Sequence, residues 1–445
     1  MTMTRTLDPH APPRDAATLN RLLFAKLMPL LIAAYVLSFL DRTNIALAKH
    51  HLDVDLGISA AAYGLGAGLF FLTYALSEIP SNLIMHRVGA RFWIARIMIT
   101  WGLISAAMAF VQGETSFYVL RLLLGIAEAG LFPGVMLYLT YWFGREQRAR
   151  ATGYFLLGVC LANIIGGPLG AALMQLDGVF GWRGWQWMFM LEGLPAVFFA
   201  FVVWKKLPDR PSKAPWLSAA EAQQIERQLA TEAEEGTSHG GHGLKQCLTP
   251  QILLAIFVYF CHQITVYTVI FFLPGIIGKY GEMSALQIGL LTSLPWLAAA
   301  IGAIALPKFA STPRRARHML VAGLLTMALG LAIASLAGPV ISLTGFCLSA
   351  VMFFVVQSII FLYPASRLKG AALAGGLGFV NSCGLLGGFV GPSAMGLIEQ
   401  STGNAMNGMK VVAVVLVVAA LAATRLRQGQ EQPAVQAVPG RRQRA

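Results

Sequence analysis

Apolar stretches of about 20 residues, the length an α-helix needs to cross a hydrocarbon layer, return roughly every 30–35 residues along this chain. Twelve such windows can be placed, near 24–47, 61–83, 92–111, 117–142, 150–175, 186–204, 251–275, 285–306, 318–337, 340–363, 371–397 and 407–424. Lipid offers no partner to an unpaired backbone amide, so windows of this length select helices. Composition agrees: the 445 residues are 56% hydrophobic and 12% charged, where a soluble domain carries about 25% charge. The chain reads as an all-α membrane protein with twelve transmembrane helices.

Where the charge falls decides what it means. The net charge is +13, which on a soluble protein would point to nucleic acid. Here, with both termini placed inside, 27 of the 33 Lys and Arg lie in cytoplasmic segments. Only Lys49, Arg183, Lys279 and Lys410 lie outside, and Arg42 and Arg121 sit within spans. This is the positive-inside bias of a multi-pass protein with cytoplasmic termini, and it excludes a nucleic-acid partner. The lipid bilayer is the partner instead. The longest hydrophilic stretch, 205–249, separates two sets of six windows. The expected organisation is a cytoplasmic tail (1–23), a six-helix bundle (24–204), a cytoplasmic linker with an amphipathic helix opened by Ser218 and Glu221 as a capping box (205–249), a second six-helix bundle (250–424) and a tail (425–445). The polar start lacks a signal-peptide layout, so the first span is read as an uncleaved anchor.

Five scattered cysteines form no CxxC, and His239 and His242 stand as an isolated pair in the linker; neither disulfide, metal site nor cofactor is expected.

Ionisable residues inside the spans are the functional signal, since each costs about 2.5–3.5 kcal/mol at mid-bilayer on an insertion scale and therefore turns inward. Arg121 and Glu128 lie seven residues apart in the fourth window, on one face and about 10 Å apart along the axis. Asp41 and Arg42 are adjacent in the first, diverge by about 100° and address different neighbours. Tyr74 in the second window is either a packing aromatic or a substrate contact, and Asn163 is the polar exception in a glycine-rich fifth. Tyr259, His262, Gln263 and Tyr267 form a polar-tipped stripe on one face of the seventh, read as facing a cavity. The second half offers hydroxyls, amides and aromatics, among them Ser358, Phe361 and Asn381, but no mid-helix acid or Arg, so charge handling falls to the first half. The short basic turn His86–Arg87–Val88–Gly89–Ala90–Arg91 is read as a gating loop whose arginines dock on a helix C-terminus, or as an ordinary positive-inside loop.

These residues resemble the major facilitator superfamily, and within it the bacterial anion:cation symporters that include tartrate, phthalate, galactonate and hydroxyphenylacetate transporters. The resemblance runs from Leu40 to Arg425. Its carriers are Asp41-Arg42-Thr-Asn44-Ile, Pro80-Ser-Asn-Leu with Arg87-Val-Gly-Ala-Arg91, Arg121-Leu-Leu-Leu-Gly-Ile-Ala-Glu128, Gly184-Trp-Gln-Trp-Met-Phe-Met-Leu-Glu-Gly, Leu207-Pro-Asp-Arg-Pro, Phe272-Leu-Pro and Asn381-Ser. It implies two pseudo-symmetric six-helix halves around a central cavity, a monomer, residence in the bacterial inner membrane and proton-coupled uptake of organic anions by alternating access. Carried over by position, Asp41 and Glu128 are the proton-carrying acids and Arg42 anchors a substrate carboxylate. Arg121 holds Glu128 or shapes the field, while Tyr74, Ser358 and Asn381 contact substrate. The chain departs from the pattern at His86, where an acid is usual, in the matching loop of the second half, Lys308 to Arg317, which also lacks its acid, and at Phe361, where relatives often carry Trp.

An enzyme is not expected, because no Ser–His or His–Asp arrangement stands at the membrane surface. The expected function is proton symport of a small organic carboxylate: a sugar acid, a tartrate-like acid or an aromatic acid. A facilitator or exchanger of the same fold, or a non-transporting sensor, are the alternatives.

Overall fold

The computed structural model describes residues 14–237, 248–336, 338–368 and 371–428; His239, His242 and Cys247 lie outside them. Every long element is a helix. In order these are α1 (Ala16–Thr43), α2 (Ile45–Leu56), α3 (Ala60–Val88), α4 (Ala90–Ala107), α5 (Glu114–Glu128), α6 (Leu131–Thr140), α7 (Arg145–Met174), α8 (Gly184–Lys206), α9 (Ala219–Thr237), α10 (Pro250–Gly278), α11 (Ala285–Ala305), α12 (Pro313–Ala334), α13 (Pro339–Ala350), α14 (Phe353–Ala365), α15 (Ala371–Leu385), α16 (Gly387–Thr402) and α17 (Ala405–Ala423). Eleven helical stretches among the described residues are long and apolar enough to cross a membrane, counting α1 with α2, α5 with α6 and α13 with α14. The window near 371–397 is divided at Leu386 into α15 and α16, of 15 and 16 residues, each too short alone.

The fourth window differs from its reading as one continuous helix. It breaks after Glu128: Ala129 is extended, and Gly130 takes φ 95°, a left-handed conformation that a side chain would resist. The Ala129 carbonyl freed by the break accepts from Ser81 Oγ of α3 at 2.7 Å, and Trp93 Nε1 donates to the same hydroxyl at 2.9 Å. Glu128 therefore ends a helix, where the backbone dipole opposes a negative charge and a cationic partner is needed.

The described residues nearest the two termini and those of the linker gather at one end of the bundle. Arg14 pairs with Glu221, while Gln251 and Arg367 bond the backbone of Arg427. At this end Asp209 of the linker accepts from the Arg91 backbone N–H at 2.9 Å, and Tyr138 Oη donates to the Pro208 carbonyl at 2.7 Å. An acid thus sits on the N-terminus of α4, whereas His86 and Arg87 are exposed. The turn is held by the linker acid, not by arginines on a helix C-terminus.

The two halves are locked together at the opposite, far end. A Cβ on Gly64 of α3 would lie 2.3 Å from the Pro392 carbonyl of α16, and one on Gly167 of α7 would lie 2.4 Å from that of Gly289 in α11. Only glycine permits these helix crossings. Tyr63 Oη donates to the Phe271 carbonyl, and Lys49 of α2 and Lys279 just after α10 both pair with Glu399 of α16.

Candidate functional site

Between the halves, α1 brings Arg42 against Glu128 at the end of α5. Arg42 Nη2 lies 2.7 Å and Nε 3.3 Å from Glu128 Oε2, and Ser38 Oγ donates to the same oxygen at 3.2 Å. The guanidinium rests over three aromatic faces, 4.6 Å from the Phe39 centroid, 5.0 Å from Phe70 and 5.1 Å from Tyr74. Such faces attract a cation and also keep water away from it. Glu128 Oε1 has no partner. Tyr74 is thus under Arg42, and Tyr267 of α10 reaches the same region through Phe71, at 4.0 Å between rings.

Arg121 does not hold Glu128. Its Nε and Nη2 donate to the carbonyls of Gly66 and Ala67 at 3.2 and 3.4 Å, and its guanidinium lies 4.9 Å from the centroid of the Phe70 ring that Arg42 also approaches. Fully buried, it leaves Nη1 without a partner. Two guanidinium groups thus share one ring, and one of them has an unused donor.

Asp41 turns away, as adjacency to Arg42 on a helix requires. Trp101 Nε1 and Ser105 Oγ of α4 donate to its two oxygens at 2.9 and 2.6 Å. The acid is buried with neutral partners.

A second polar network crosses from half to half. Glu78 of α3 accepts from Asn381 Nδ2 at 3.0 Å and from Ser382 Oγ at 2.5 Å. Asn381 Oδ1 accepts from Tyr259 Oη, which accepts from Gln357 Nε2, each at 3.3 Å. Phe361 packs edge-on against Tyr259, 5.1 Å between rings. Tyr259 belongs to the stripe that sequence places on a cavity face, whereas Glu78 and Gln357 carry no role there; for Glu78 the signal is an acid within an apolar span.

The remaining residues are placed elsewhere. His262 Nε2 lies 2.9 Å from the Phe353 carbonyl of α14 and Nδ1 3.1 Å from Gln263 Oε1, so the imidazole bridges two helices of the second half. Ser358 is exposed and donates to its own helix at the Val355 carbonyl. Asn163 donates to Val159 and lines a separate small cavity with Asn44 and Glu192. No group of three or more potential metal-ligating side chains occurs among the described residues.

Two helical halves that meet around buried, internally paired charges define a membrane transporter, not an enzyme. The chain belongs to the Major Facilitator Superfamily, whose family model matches residues 31–392. It is 40% identical over 410 residues to a protein of Agrobacterium vitis provisionally named a tartrate transporter, covering 92% of this chain and 90% of that protein. It is also 39% identical over 399 residues to a quinolone resistance transporter of Acinetobacter baumannii, covering 88% and 91%. Among solved structures, a bacterial homologue of the human lysosomal transporter Spinster, inward-facing and occupied, superposes with a TM-score of 0.71 at 17% identity, covering 92% of this chain and 99% of that one.

Proposed function

We propose that the protein is a proton-coupled importer of a small organic carboxylate, resident in the bacterial inner membrane with both termini cytoplasmic. The observation that carries the reading is the Arg42–Glu128 contact of 2.7 Å in a buried setting between the halves. While Glu128 is ionised, Arg42 is neutralised and offers an incoming anion little. A proton on Glu128 removes that charge and leaves Arg42 uncompensated over its three rings. Removing one partner of a buried pair costs about 3–5 kcal/mol, which is about two to four orders of magnitude in affinity. A substrate carboxylate that takes the place of Glu128 recovers this energy, so proton and anion bind in concert, and linkage makes the effect mutual. The planar fork of Arg42 suits a bidentate carboxylate.

The A. vitis relative's name supports a hydroxylated dicarboxylate, and so does the unused Nη1 of Arg121 beside the shared Phe70 ring. Tyr74, Tyr267, Phe361 and Asn381 are the proposed contacts for the rest of the molecule, with Asp41 a second proton carrier. In the proposed cycle the described state is closed at the far end by Lys49, Lys279 and Glu399.

The test is uptake of labelled tartrate and of a sugar acid into proteoliposomes under an imposed inward proton gradient. Accumulation above the external concentration, abolished by a protonophore, is expected for one of them. Equilibration without accumulation identifies a facilitator, and binding without uptake a sensor.

A further inference from the structure

A small cavity of about 40 Å³ lies apart from the Arg42–Glu128 pair, lined by Asn44, Asn163 and Glu192 of the first half and Ile270, Pro274 and Thr292 of the second. A water-sized occupant takes roughly 10–15 Å³ by this measure, so a carboxylic acid of several carbons does not fit but a single ion with a water or two does.

What lines the cavity is rich in oxygen and poor in positive charge. Glu192 is 3% exposed, and the Asn44 carboxamide faces its carboxylate without closing a hydrogen bond of ordinary geometry. Asn44 is itself 4% exposed. Asn163 has spent its Nδ2 on the Val159 carbonyl at 2.8 Å, which leaves Oδ1 as an acceptor. Thr292 donates its hydroxyl hydrogen to the Gly289 carbonyl at 2.7 Å and keeps its oxygen lone pairs. Pro274 has no N–H, so the Ile270 carbonyl four residues earlier lacks its intrahelical donor. Among the described residues no ion pair includes Glu192. A second acid, Asp41, lies within electrostatic reach, with its oxygens taken by Trp101 and Ser105.

A buried carboxylate with no cation beside it is unfavourable by several kcal/mol, and acceptors that face one another attract a hard cation. We propose that this cavity binds a monovalent cation, sodium, with Glu192 supplying the charge and Asn44, Asn163, Thr292 and the Ile270 carbonyl supplying neutral oxygens. One free carboxylate balances one positive charge; a divalent ion seeks a second, and Asp41 is engaged. Because the oxygens come from both halves, the ion binds only while α7 and α11 stay in contact at Gly167 and Gly289. Sodium therefore favours the far-end-closed arrangement over any that parts these helices. The inference does not depend on the identity of the transported anion.

The experiment follows thermal unfolding of the full-length protein in nanodiscs without any organic substrate, titrated with sodium chloride or with choline chloride at equal ionic strength, at pH 6 and pH 8. Sodium is expected to raise the melting temperature saturably where choline does not. Glu192→Gln is expected to abolish the difference, and Thr292→Ala to raise the half-saturating sodium concentration about tenfold. Identical sodium and choline curves overturn the proposal. So does a response in Glu192→Gln equal to that of the parent, or a melting temperature that follows pH with no difference between the salts, which identifies Glu192 as a protonated acid. If Glu192→Gln does not fold, the parent's sodium–choline comparison and Thr292→Ala decide the matter.

Discussion

Arg42 and Glu128 close on each other at 2.7 Å from two different helices, and the break at Ala129–Gly130 is what puts the acid within reach. Glu128 ends α5 on the unfavourable side of its dipole, so the guanidinium compensates both the carboxylate and the helix end. The pair is therefore structural and exchangeable together, a combination that serves a carrier whose anchor must be masked between cycles.

Removing one member should cost more than removing both. Arg42→Gln and Glu128→Gln are each expected to lower stability by about 3–5 kcal/mol because each leaves a buried charge alone. The double variant is expected to recover most of that loss. Unfolding of the four proteins as a double-mutant cycle measures the coupling; additive losses would show that the contact is not energetically shared.

Glu78 with Asn381 and Ser382 ties the first half to the second at mid-height. Asn381→Leu leaves Glu78 Oε1 without its donor, an expected loss of about 1–3 kcal/mol. Asn381→Asp sets two carboxyls against each other and is expected to destabilise more than the leucine at pH 8 and less at pH 5, where a proton can be shared. Melting temperatures at the two pH values check the order.

The Lys49–Glu399–Lys279 cluster spans α2, α16 and the end of α10 at the far end. Glu399→Gln leaves two cations facing each other across the halves and is expected to favour separation there. Spin labels at Asp53→Cys and Glu282→Cys, both exposed, in a cysteine-free background are expected to gain a longer-distance population in the Glu399→Gln protein. An unchanged distance distribution assigns the closure to the glycine crossings alone.

Arg14, Ser218 and Glu221 pin the linker helix. Burial pushes the Glu221 carboxyl up, but the Ser218 and Arg14 backbone N–H groups and the Arg14 guanidinium outweigh it and hold it below its ordinary value. A lowered folded-state pKa means that this contribution is present at neutral pH and fades as pH falls through the carboxylate range. Trypsin cleavage within the linker is expected to accelerate on acidification in the parent protein, after correction for trypsin's own pH dependence. In Arg14→Ala it is expected to be fast already at neutral pH.

Much of this architecture is legible in sequence because lipid enforces it: apolar length gives the helices, and buried charge marks the inward faces. Adjacent Asp41 and Arg42 diverge as helical geometry demands. What sequence does not reveal is which charge meets which. Arg121 and Glu128 share a face of the apolar pattern, yet the turn at Gly130 and the open carbonyls of Gly66 and Ala67 give Arg121 other partners and leave the acid to Arg42. The break itself is hidden, since Gly130 lies in an unbroken hydrophobic run whose Ala129 carbonyl is satisfied by a serine 48 positions away. The stripe of α10 divides for a similar reason: Tyr259 joins the Asn381 network while His262 turns to the Phe353 carbonyl, a distinction made by the neighbouring helix. Glu192 sits inside a motif rich in Trp and Met, and only the packing of five helices around it shows that, among the described residues, no cation pairs with its carboxylate.

The central claim is that Glu128 carries the proton that unmasks Arg42, and Glu128→Gln tests it most directly. The variant is permanently neutral, so in proteoliposomes it is expected to retain exchange of labelled for unlabelled substrate while losing accumulation driven by a pH gradient. Accumulation in Glu128→Gln that still follows the imposed gradient would contradict the account.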